Sequence, residues 1–160
     1  MKMVQQLATD LEILQHVNAW IGYNATELLE DVDYELAQWK PHARGSSIWQ
    51  LVNHISFWRE VVTKRLKTRA PYNPQKYGLE NVAIMDPAAW QATKQRFEKA
   101  YEDLYDAILG LEEVMLSAKL TAEGSYYYNI SGCITHDAFH LGQVIQLKRM
   151  AQALKKDEQF

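Results

Sequence analysis

The chain has 160 residues, one cysteine and a formal net charge of −3, with acidic and basic residues mixed along its length. A chain of this size suits one domain, residues 1–160, that buries roughly 70% of its unfolded surface and needs no covalent staple; its lone thiol, Cys133, excludes an intramolecular disulfide and fits a reducing cytoplasm. There is no basic block for nucleic acid and no apolar run long enough to span a membrane, and Met1 to Gln6 lacks the apolar region of a signal peptide.

Residues 6–31 read as a first helix, because Leu7, Leu11, Leu14, Val17, Ile21, Leu28 and Leu29 recur at helical spacing. Gly22 is its weak point. The segment from Trp39 to Ser46 is punctuated by Pro41 and Gly45 and reads as a loop. Ser47 and Gln50 then form a capping box, opening a second helix to about residue 68 along Trp49, Leu51, Val52, Ile55, Trp58, Val62 and Leu66.

Residues 69–85 contain Pro71, Pro74 and Gly78 and show only weak periodicity. A connection of that length makes sense as a crossover between two consecutive helices that run parallel. Asp86-Pro87 starts the third helix, with an acid at the cap and proline in the first turn. Its buried stripe is Trp90, Phe97, Tyr101, Leu104, Ile108 and Leu111. Residues 117–128, with Gly124 and the run Tyr126-Tyr127-Tyr128, form the next connection. A fourth helix runs from about Asn129 to Leu154. The expected fold is all-α, a four-helix bundle with one long crossover between its second and third helices. Neither a βαβ rhythm nor a Gly-rich phosphate loop is present.

His136 and His140 lie four residues apart on the stripe of Ile130, Val144 and Leu147. They share one face of the fourth helix and point inward. Two buried imidazoles need partners for their nitrogens, and a shared metal ion supplies one for each. Core histidines bonded to backbone or tyrosine are the plainer alternative. His54 borders the apolar face of the second helix and is a candidate third ligand. Three imidazoles suit zinc or nickel and leave a coordination position open. His16 reads as a helix-surface residue and His42 as a solvated loop residue.

Near the histidines, Asp137 points about 100° away from His136 around the helix, which favours a solvated or interhelical role over that of an outer-shell acceptor for a ring N–H. Gln143 either orients His140 or makes a packing bond. Cys133 faces the site but reads as a buried thiol. Gly142 is expected to permit close helix approach. The three tyrosines line the mouth of the site or cover the end of the core.

The set Trp49, Leu51, Val52, His54 and Ile55, followed far downstream by His136, His140, Gly142, Gln143 and Val144, with Arg149 beyond, resembles the DinB-like superfamily. The resemblance covers the whole chain. It implies a four-helix bundle with an up-up-down-down crossover, a divalent metal (zinc or nickel) on His54, His136 and His140, and a frequent homodimer. Characterised relatives include S-transferases using low-molecular-weight thiols and a thiol-dependent isomerase. The expected function is therefore a metal-dependent thiol S-transferase acting on a small molecule. A non-catalytic metal- or ligand-binding bundle, a metal-dependent hydrolase and a purely structural bundle are the alternatives.

Overall fold

A computed structural model describes residues 2–17, 20–75, 79 and 82–157. Gly78 of the expected crossover lies outside the described residues. The described chain is helical, without strands; one isolated bridge joins Lys119 and Ser125. Six helices are seen where four were expected: α1 Met3–His16, α2 Ala25–Glu30, α3 Tyr34–Gln38, α4 Ile48–Thr68, α5 Pro87–Leu109 and α6 Tyr126–Asp157. A 3₁₀ turn, Glu113–Ser117, follows α5.

The first predicted helix is broken by local chemistry. Val17 is extended, and Gly22 adopts a φ of 89°, a left-handed conformation that glycine reaches without strain. The Asn24 side chain then accepts from the Glu27 amide and starts α2. Asp33 caps α3 in the same way through the Leu36 amide. Apolar periodicity continues through Leu28 and Leu29, but these cap signals override it.

The other starts follow the sequence. Ser47 and Gln50 form the reciprocal capping box of α4. Asp86 accepts from the Ala89 amide ahead of Pro87. α6 begins three residues earlier than expected, because the Ser125 hydroxyl accepts from the Tyr128 amide and draws all three tyrosines into the first turn.

Side-chain pairings fix the helix directions. Along α4 and α5, Trp49 meets Thr93, Arg59 meets Phe97 and Lys67 meets Asp103, so these helices run parallel. That is the geometry the long connection after residue 68 called for. α6 runs against α4, pairing Asn129 with Arg65 and Asp137 with Arg59. α1 runs against α5, with Gln15 bonded to Glu98 and the Met3 amide to Glu113. The course of the four long helices is up-down-down-up. These pairings depart from the expected up-up-down-down order at each of the three connections, beginning with the first. There α2 and α3 fold over one end and bury Leu28, Leu29, Val32 and Ala37, so the chain re-enters α4 in the opposite sense.

Two apolar clusters fill the interior. One gathers Leu29, Trp49, Ile55, Phe97, Leu141 and Val144; the other gathers Leu11, Val62, Leu104, Tyr126, Ile130 and Cys133. Between them lies a polar waist. Arg59 and Asp137, both with fully buried side chains, join at 2.7 Å (Nε to Oδ2), and Gln15 Oε1 accepts from Arg59 Nη1 at 3.0 Å. The Arg59 guanidinium also lies 4.4 Å from the centre of the Phe97 ring. No described helix is long and apolar enough to cross a membrane.

Candidate metal centre

The three sequence-selected histidines meet at the level of this waist. His54 comes from α4 and is buried; His136 and His140 come from successive turns of α6 and are half-buried. The antiparallel packing of α4 on α6 brings residues 82 positions apart into contact. His136 Nε2 lies 3.0 Å from His54 Nε2 and 3.1 Å from His140 Nε2. One nitrogen from each ring falls in a group whose members all lie within 4.8 Å of one another.

Those spacings fit one shared ion. Two nitrogens each about 2.05 Å from a metal stand about 2.9 Å apart at a right angle and about 3.3 Å apart at the tetrahedral angle. The bond behind the His140 ring agrees. His140 Nδ1 donates to Gln143 Oε1 at 2.7 Å, which leaves the Nε2 lone pair of the neutral ring aimed at the cluster. A lone pair converging on other ring nitrogens at 3 Å is repulsive unless a proton or a cation lies between them. Burial pushes the His140 imidazole below the ordinary histidine range; His136 adds to this, while the Gln143 bond opposes it. A lowered proton affinity keeps the ring available as a ligand. The group could hold a divalent metal.

Gln143 therefore orients His140, where the sequence slightly favoured a packing or interhelical bond. Gln143→Leu removes that acceptor from an exposed position. Metal affinity is expected to fall about 10–100-fold, the usual effect of losing an outer-shell partner, with the helical circular-dichroism spectrum unchanged. Competition against a chromophoric chelator measures it; undiminished affinity would show that the bond does not orient the ligand.

Asp137 takes the interhelical role through Arg59, yet its other oxygen remains near the site. Oδ1 stands 3.6 Å from His136 Nδ1, and neither atom has a hydrogen-bond partner. Two unpartnered buried atoms on the far side of a ligand ring match the place where metal-binding histidines usually donate to a carboxylate. Sequence reasoning missed Arg59. Its signal was a charged residue inside the apolar stripe, midway between Ile55 and Val62.

The remaining candidates separate cleanly. Cys133 is buried in the apolar cluster and is not a member of the ligand group. Desolvation pushes its thiol well above the usual cysteine range, which makes it a poor nucleophile. His16 lies at the surface against Glu98 at 3.0 Å, and His42 is exposed. Gly142 does not serve helix approach: a Cβ there would meet nothing within 4 Å. The tyrosines divide, Tyr126 entering the core and Tyr128 lining a cleft beside His136.

That cleft, about 280 Å³, is walled by Trp58, Tyr128 and Asn129 and reaches Arg65. Trp58 packs edge-on against His54 and His136, with ring centres 6.4 and 6.1 Å away. A larger cavity of about 440 Å³, between α2 and α5, holds none of the three histidines.

The family model of the DinB superfamily matches residues 15–144 of the chain. No curated protein and no solved structure gives a significant match.

Proposed function

The chain belongs to the DinB superfamily, and from that premise we propose that it is a divalent-metal-dependent enzyme, with His54, His136 and His140 as ligands and a low-molecular-weight thiol as cosubstrate. The observation that carries this reading is the convergence of three Nε2 atoms from two helices, one of them oriented by Gln143. When bound, zinc or nickel supplies a Lewis-acid position that favours the thiolate of a coordinated thiol, the form that attacks an electrophile.

The protein's own residues supply placement. Two ligands one turn apart on α6 and one on α4 hold three positions and leave others for a small molecule. Trp58 shields one side of the imidazoles, and the cleft beside His136 has the volume of a small ligand site. Cys133 is buried with its thiol held protonated, so an external thiol is the better source of sulfur nucleophile. The same reading takes the four long helices as the family's four-helix bundle, in a homodimer acting on small molecules in the cytoplasm.

The test is turnover of an electrophile in the presence of small thiols by metal-loaded and chelated protein, beside His140→Ala. Chelation and the substitution should each reduce turnover to the uncatalysed rate. Equal turnover after His140→Ala sinks the metal mechanism. A metal-loaded protein inert toward thiols but active on esters or amides indicates a hydrolase. One inert throughout indicates a binding protein.

A further inference from the structure

The cleft that begins at His136 continues past Asn129 into an outer chamber of about 330 Å³. Trp58, Arg65, Tyr128 and Asn129 line both spaces. Arg65 stands where they meet, half-buried on α4. Its guanidinium is fixed by neutral acceptors. Nε donates to the Tyr72 carbonyl at 2.9 Å, Nη1 to Asn129 Oδ1 at 2.9 Å, and Nη2 makes only a long contact, 3.5 Å, with Asn73 Oδ1.

Among the described residues no carboxylate closes an ion pair with Arg65. Glu123 lines the outer chamber as an exposed residue and acts on it only at longer range. Burying a cation against neutral partners alone costs stability. The planar fork of arginine suits a carboxylate, and these bonds hold it in place where it lines both spaces. Tyr128 is held at the wall as well: a Cβ on Gly124 would come within 2.3 Å of its ring, so this position needs glycine.

We propose that this cleft is a subsite for an elongated thiol bearing a carboxylate, with the sulfur end at the histidine cluster and the carboxylate on Arg65. The proposal rests on the metal reading above and names the class of thiol for it. From Asn129 to His136 is seven residues of α6, so the two ends of the ligand stand roughly 10 Å apart. Trp58 and Tyr128 contact the stem between them. Arg65 acts as a specificity-determining residue and takes no part in bond making.

Cobalt-loaded protein titrated with ω-mercaptoalkanoates of graded length, and with their methyl esters, tests this through the sulfur-to-cobalt charge-transfer band. The acids should bind at least about 10-fold more tightly than the esters, with an optimum at intermediate length, a difference of about 1.4 kcal/mol. Arg65→Gln should erase the acid preference and leave cobalt affinity and ester binding unchanged; Arg65→Lys should restore part of it. Thiol binding without an acid preference in the unsubstituted protein overturns the subsite while leaving the metal reading intact. Cobalt uptake with no charge-transfer band for any thiol overturns the thiol reading and the subsite together. Failure to bind cobalt at the three histidines overturns all three.

Discussion

His136→Ala should reduce metal affinity by more than about 100-fold, beyond the 10–100-fold that follows loss of an outer-shell partner. His136 is the middle of the cluster: its Nε2 is the atom found within 3.1 Å of both other rings. Removing it leaves two ligands on different helices with no ring between them. Elemental analysis after dialysis against metal, and competition with a chromophoric chelator, measure the loss. His16→Ala and His42→Ala are matched controls, because both residues lie outside the ligand group and should load normally. Equal metal content in all three variants would place the ion elsewhere. Unchanged stability on chelation, with less than one equivalent bound by the unsubstituted protein, would return the histidines to a structural role.

The second large effect concerns the waist. Arg59→Met or Asp137→Leu alone should destabilise the protein by about 3–5 kcal/mol, since each leaves an uncompensated charge in a fully buried place. The double variant, Arg59→Met with Asp137→Leu, should recover most of that loss, because a buried pair replaced by apolar groups is often neutral or stabilising. Urea unfolding of the four proteins gives the coupling energy. Strict additivity would show that the two side chains do not act as a pair. The double variant carries a further consequence. It lacks the carboxylate behind His136, so its metal affinity should stay about 10–100-fold below that of the unsubstituted chain even where stability returns. Stability and metal binding are thereby separated at one residue.

Much of this site was legible because its signals are short-range. The spacing of His136 and His140 fixes their shared face whatever surrounds the helix. Ser47 with Gln50, and Asp86 with Pro87, set α4 and α5 through local hydrogen bonds and proline geometry. The length of the connection after residue 68, with Pro71 and Pro74 in it, implied the parallel course of those helices. The break between α1 and α2 was obscured because apolar periodicity outruns the helix. Leu28 and Leu29 do pack inward, but from a helix restarted by Asn24, and only the glycine and the cap together reveal it. The same reading of one long helix hid α2 and α3, the two short helices that turn the chain before α4. The pairing of Arg59 with Asp137 was out of reach for a different reason. They are 78 residues apart, and nothing in either neighbourhood names the other.

The waist also bears on how substitutions combine. It crosses the interior between the cluster of Ile55 and Leu141 and the cluster of Leu104 and Ile130. Each cluster is close-packed within itself, so a cavity in one is felt by its own neighbours. Charged and amide groups separate it from the other. Free-energy effects add when sites are distant and share no partners. The two ends of the molecule are therefore free to drift in sequence on separate accounts, while Gln15, Arg59, Asp137 and the histidines must change in concert.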